Sequence, residues 1–252
     1  MNLSRISMRR ALACALLCLA GGLLLVGCTP PWQHNNVIAA SNFGAKPTAK
    51  QVLAMVQKNF HNVTAFHVVM KTYNLGTPTG DNQIQIRTAE GDVLMPDKVK
   101  AQANVLLSGQ AVTINLISIG DTQYITDPIT GQWRVVKGVL DASTLTNPDT
   151  GIISLANKLQ NVTGPTADTV NGTPCWRVNG LLDAKYLAFL TGGGVPPGTM
   201  LKTSICAGKA DALLYELKVT GQATTTDTPQ TTRTFEISNY NENISINAPQ
   251  IQ

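Results

Sequence analysis

Apolar residues change their spacing along this chain, and the changes divide it into elements. Val52, Met55, Val56 and Phe60 recur at helical intervals, with Lys50, Gln57 and Lys58 facing elsewhere. Thr48 stands just before them and can accept a backbone N–H, so a helix over 49–59 with one greasy side is predicted. After Asn62 the period shortens to two. Phe66, Val68 and Met70 alternate with His67, Val69 and Lys71, and Ile84 and Ile86 alternate with Gln83, Gln85 and Arg87. Val99, Ala101, Ala103, Val105 and Leu107 share one strand face, as do Val112, Ile114 and Leu116 on the next run. Alternation of this length predicts strands half-buried on one side.

Turn signals punctuate these runs. Ser108-Gly109-Gln110 and Ile119-Gly120-Asp121 are tight hairpin signals, and Asp127-Pro128-Ile129-Thr130-Gly131 joins strands at 123–126 and 133–136. Strands following one another through short turns make an antiparallel meander rather than βαβ units. Beside Gly91, Glu90 and Asp92 read as a bulge. The alternation stops over 149–159, where Ile152, Ile153, Leu155, Ala156 and Leu159 predict a short helix. It resumes at 162–170 and 173–182, joined by Asn171-Gly172. Asp183 is placed to cap another short helix through Tyr186, Leu187 and Leu190, which the glycines and prolines of 192–198 end. Strands at 200–206, 212–221 and 231–240 follow; Leu213, Tyr215, Leu217 and Val219 form one apolar side, and Phe235 and Ile237 another. No repeat or linker interrupts 49–247, which reads as a single domain followed by a tail at 248–252.

The N-terminus follows other rules. Arg5, Arg9 and Arg10 precede an uncharged apolar run from Ala11 to Val26, and Leu25-Val26-Gly27-Cys28 closes it. A basic start and an apolar run of this size read as a secretory signal over 1–27. The Leu-x-Gly-Cys ending looks like a bacterial lipobox, with Cys28 acylated and first in the mature chain. The polar, proline-containing stretch 28–48 then reads as acylated Cys plus tether. The expected location is the extracytoplasmic face of the cell membrane, held by lipid rather than by a transmembrane helix.

Composition now acquires meaning. With 43% hydrophobic and only 13% charged residues in 252, the chain is neither disordered nor typical of a helical cytosolic protein. Loss of the three arginines leaves 16 basic against 15 acidic groups, so the net charge falls from +4 to +1. Basicity therefore gives no argument for a nucleic-acid partner. Of five cysteines, Cys14 and Cys18 leave with the signal and Cys28 is acylated. Cys175 and Cys206 remain, on the polar faces of their strands, and fit either one disulfide or two buried thiols.

No catalytic constellation emerges, and the expectation is a protein that is not an enzyme and holds no cofactor or metal. His34 lies in the tether, and His61 and His67 belong to no zinc-spacing motif. Ser118 lacks the flanking glycine of a nucleophile elbow, and 192–198 lacks the strand that precedes a phosphate-binding loop. What remains is a sheet with one apolar face. That face must be covered, or must enclose a hydrophobic space suited to an apolar ligand. A packed core and a hollow one both fit the pattern.

The segments Leu94-Met95-Pro96-Asp97-Lys98-Val99-Lys100-Ala101, Val112-Thr113-Ile114-Asn115-Leu116-Ile117 and Gly120-Asp121-Thr122-Gln123-Tyr124-Ile125-Thr126-Asp127-Pro128 to Trp133 resemble the LppX/LprA/LprF/LprG lipoprotein family. So does the order of lipobox, tether, helix, Val63-Thr64-Ala65-Phe66-His67 and Glu90-Gly91-Asp92-Val93. The resemblance implies a mainly antiparallel α+β fold, an unclosed β half-barrel similar to LolA and LolB, with a few helices over its concave face. It also implies a membrane-anchored protein that binds lipid or acylated glycolipid for transport or assembly in the cell envelope. The expected cavity residues are Val68, Met70, Val105, Val112, Ile114, Leu116, Leu217 and Phe235, with the helix around Val52–Phe60 or the 192–198 loop as lid. The other reading is an anchored sensor or interaction module with the same fold and an envelope-protein partner.

Overall fold

The computed structural model describes residues 46–77, 84–138, 142–147, 150–188 and 194–251. The expected signal segment, Cys28, His34 and nearly all of the expected tether lie outside them. Among the described residues no helix is long and apolar enough to cross a membrane.

Helix α1 (Ala49–Phe60) starts where the pattern places it. Thr48 Oγ1 accepts from the Gln51 N–H at 3.3 Å, and Gln51 Oε1 accepts from the Thr48 N–H at 2.8 Å, a reciprocal capping box. Its buried stripe is Val52, Leu53, Val56, Asn59 and Phe60, so Leu53 takes the place expected of Met55.

Eleven strands form one antiparallel sheet: β1 (Ala65–Leu75), β2 (Ile84–Leu94), β3 (Lys98–Leu107), β4 (Gln110–Ile119), β5 (Thr122–Thr126), β6 (Trp133–Val136), β7 (Gln160–Val170), β8 (Thr173–Asp183), β9 (Met200–Gly208), β10 (Leu214–Thr220) and β11 (Asp227–Ser238). The spatial order β6-β5-β4-β3-β2-β1-β11-β10-β9-β8-β7 is two meanders joined where β1 pairs with β11. The sheet is an unclosed half-barrel, as the resemblance implied. Hairpin turns sit at the expected dipeptides. Ser108 and Gly109 take φ of 48° and 81°, and Asn171 and Gly172 take 47° and 83°, the left-handed values that twist-matched two-residue turns require.

Since β6 and β7 are the two edges, the chain between them has to return across the sheet. It does so over the concave face, carrying α2 (Ala142–Thr146), a 3-10 turn (Ile152–Ser154) and α3 (Leu155–Lys158). The helix expected over 149–159 is thus shorter and begins as a 3-10 turn, and α2 was not signalled. A second 3-10 turn (Ala184–Leu187) follows β8, with Asp183 Oδ1 accepting from the Lys185 N–H as its cap.

Departures from regular pairing bend the sheet. Register shifts interrupt β1 between Tyr73 and Leu75, β2 between Ile86 and Thr88, β7 between Gln160 and Thr163 and again between Thr163 and Thr166, and β10 between Leu214 and Glu216. Each adds local twist and changes which side chains face inward beyond it. β11 starts at Asp227, four residues before the strand expected at 231–240. Glu90-Gly91-Asp92 is no bulge: all three pair in register with both β1 and β3. Gly91 is required there because a Cβ would lie 2.5 Å from the Lys100 carbonyl oxygen and 2.7 Å from the Ala101 Cβ. Its neighbour Asp92 instead takes the His67 Nδ1 across the strand pair at 2.7 Å.

The convex face is polar. Arg177 bonds Glu216 at 2.7 Å, Ser204 at 2.9 Å and Asp168, holding β7 through β10 together. The Asp168 carboxyl is held below its usual range, first by the Arg177 side-chain hydrogen bond and then by the Thr169 N–H. On the same face Cys175 and Cys206 form a disulfide between β8 and β9, with Cα atoms 5.6 Å apart, and it packs with Val170 away from the main core.

Two stability predictions follow from this architecture. Thr48→Ala removes half of the capping box and lowers unfolding free energy by about 1 kcal/mol in denaturant titration. Gly91→Val forces β2 and β3 apart and costs about 1–3 kcal/mol in the same measurement.

Candidate functional site

The two halves of the concave face carry different side-chain volumes. On the β8–β10 half, Leu182, Leu201, Ile205 and Leu217 are fully buried. Helix α1 packs against β7, β8 and β9, and its Val52 and Val56 close that half into a solid core. On the other half, the inward positions of β2 and β3 are Ala89 opposite Ala103 and Gly91 opposite Ala101. Small side chains on a concave surface leave room above them, and no helix as large as α1 fills it.

The room is a cavity of about 580 Å³, within the ~300–1,000 Å³ span of ligand pockets. Its floor is β1 to β4 with β11. Its roof is the crossing segment, through Leu145 of α2 and Ile152, together with Leu187. One end is closed by Phe66, Val93 and Val99, all buried. The other end is polar and includes Gln85, Thr224, Thr226 and Arg233.

Of the eight residues expected to line a cavity, the structure brings six together: Val68, Met70, Val105, Ile114, Leu116 and Phe235. Val112 and Leu217 lie outside the lining. Val112 pairs with Val105 close to the Ser108-Gly109 turn and is half-exposed, outside the lining. Leu217 has the inward orientation expected, opposite Phe235, but its half of the face is filled and its exposure is 0%. Helix α1 is likewise core and lines no part of the cavity, so it is not the lid; of the alternative, 192–198, residues 192 and 193 lie outside the described segments.

Sequence reasoning missed Leu145, because a five-residue helix leaves no periodicity. It also missed the polar end, whose residues come from distant segments. There the Arg233 guanidinium makes two bonds to Asp227, Nη1 to Oδ2 at 2.6 Å and Nη2 to Oδ1 at 2.8 Å. Asp227 Oδ2 also accepts the backbone N–H groups of Ala223 and Thr224, both at 2.9 Å. This buried pair fixes the 223–227 turn against β11, and that turn supplies the cavity wall at Thr224 and Thr226. Among the described residues no group of three His, Cys, Asp or Glu side chains gathers to hold a metal ion.

The profile of the LppX_LprAFG lipoprotein family matches residues 48–246. Among solved structures, LprF from Mycobacterium bovis superposes with a TM-score of 0.62 at 18% identity, covering 80% of this chain and 96% of that one. Lipoprotein LppX from Mycobacterium tuberculosis superposes with a TM-score of 0.54 at 15% identity, covering 79% and 99% respectively. No curated protein matches the chain.

The contrast between the two halves can be tested by overfilling each. Ile114→Trp enters open space and changes stability by less than about 1 kcal/mol, while abolishing uptake of a lipophilic fluorescent dye. Leu217→Trp enters a filled core and costs about 1–3 kcal/mol.

Proposed function

The chain belongs to the LppX_LprAFG lipoprotein family, and from that premise we propose that it is a membrane-anchored carrier that holds the acyl part of a lipid or acylated glycolipid in its concave cavity. The observation that carries this reading is the apolar chamber of about 580 Å³ floored by Ala89, Gly91, Ala101 and Ala103. Acyl tails lie along Val68, Met70, Val105, Ile114, Leu116 and Phe235, with Leu145 and Ile152 above them. Residues 1–27 direct export, Cys28 carries the anchoring acyl chains, 29–48 is the tether, and 49–247 is the binding domain.

The energetics suit a carrier. Removing tail surface from water is favourable by about 25 cal/mol per Å², or ~0.8 kcal/mol per CH₂. A tail leaving a bilayer for this cavity exchanges one apolar environment for another, so the net change is small and loading is reversible. The cavity acts by sparing the tail its contact with water during passage through the envelope. No step of this function requires bond chemistry.

The reading is tested with the Cys28→Ala chain, which cannot be acylated, by native mass spectrometry. A co-purified lipid is expected, and it is expected to vanish when Ile114→Trp is added. Repeated preparations free of lipid would overturn the carrier reading and leave the anchored interaction module.

A further inference from the structure

The polar end of the cavity holds an acceptor that the protein itself leaves unused. Gln85 is 4% exposed and lines the cavity. Its Nε2 donates to the Gly76 carbonyl at 2.9 Å. A carbonyl oxygen can only accept, so this bond fixes which way the amide is turned and leaves Oε1 as the other atom. Oε1 is buried and has no hydrogen-bond partner. A second buried atom, Thr72 Oγ1, is also unpartnered, and Thr72 stands opposite Arg233 in the β1–β11 ladder. Buried polar atoms are rarely left so, since an unpaired one keeps the full cost of its desolvation.

The surrounding charges narrow what the missing partner is. Arg233 is the cation at this end, and both carboxylate oxygens of Asp227 already engage it. Its side chain is 11% exposed and that of Asp227 0%. Asp227 already neutralises Arg233, so a phosphate entering here would add uncompensated negative charge beside a buried carboxylate and the bare Gln85 oxygen. Thr224 and Thr226 bond each other at 3.0 Å and are not short of partners. The demand at this end is therefore for a neutral donor.

Resting on the carrier reading above, we propose that this end selects lipids with a free hydroxyl beside their ester-linked chains, as in a diacylglycerol, and that Gln85 Oε1 accepts that hydroxyl. Esters and ethers offer no donor, so a fully capped lipid of the same tails leaves Oε1 unpaired. Selection by an unpaired buried group is far sharper than selection by one more methylene.

The experiment uses the full chain in phosphatidylcholine nanodiscs and three photoactivatable lipids with the same diazirine-bearing oleoyl tails: dioleoylglycerol, its methyl ether, and dioleoyl phosphatidic acid. Cross-linking to peptides that contain the cavity residues is read by mass spectrometry. Dioleoylglycerol is expected to label them about tenfold more than either of the others. In Gln85→Leu the difference between the alcohol and its ether is expected to fall to within about twofold, with tail labelling retained. Equal labelling by alcohol and ether in the unmutated chain, or preference for phosphatidic acid, overturns the proposal even if Gln85→Leu fails to fold. Absence of cavity labelling by all three would instead overturn the carrier reading on which it rests.

Discussion

A sheet curved far enough to have an inside must fill that inside with its own side chains, cover it, or leave it hollow. Here the volume carried by the inward positions decides among these, and it differs between the two meanders. Leu182, Leu201, Ile205 and Leu217 are fully buried in the same core as the apolar face of helix α1. Ala89, Gly91, Ala101 and Ala103 are too small to fill the space between them and the crossing segment, and all four line the cavity. Collapse would close the gap only if β1 to β4 moved as a block, and the long ladders joining β2, β3 and β4 resist that. The cavity is thus a consequence of small residues on a stiff curved floor.

The remaining structure serves to keep that floor curved and its roof in place. Register shifts in β1, β2 and β10 supply bend where regular pairing would flatten the sheet. The return from edge β6 to edge β7 has one face to cross, and Leu145 and Ile152 become the roof because the topology takes them there. The filled half is cross-braced on its outer side by Arg177 with Asp168, Ser204 and Glu216, and by the Cys175–Cys206 disulfide. One half of the barrel is filled, and the other half is a chamber beside it.

The polar end shows how a site can be made from residues that no motif connects. Gln85, Thr72, Arg233 and the turn at Asp227 lie on β1, β2 and β11 and the loop before it, more than 150 residues apart at the extremes. They are brought together by the β1–β11 pairing, the one junction between the meanders. Buried ion pairs contribute little net stability, so the place of Arg233 and Asp227 is better understood as holding a turn at the chamber's wall.

Much of this was determined locally and could be read along the chain. Period-two alternation assigned the inward faces of β1, β3, β4 and β11; Ser108-Gly109 and Asn171-Gly172 set the hairpins; Thr48 opened α1; and the phase of Cys175 and Cys206 put both on the outer face. Those features depend on a few neighbouring residues, which is why they were legible. Alternation says which way a side chain points but not what it meets there, so Val112 and Leu217 were indistinguishable from Ile114 and Phe235. Which half is hollow depends on where α1 docks and on a strand pairing that spans almost the whole domain. Gly91 looked like a bulge because only the approach of Ala101 reveals it as a contact. Long-range packing decided those points, since its free energy belongs to pairs of segments and not to either segment alone.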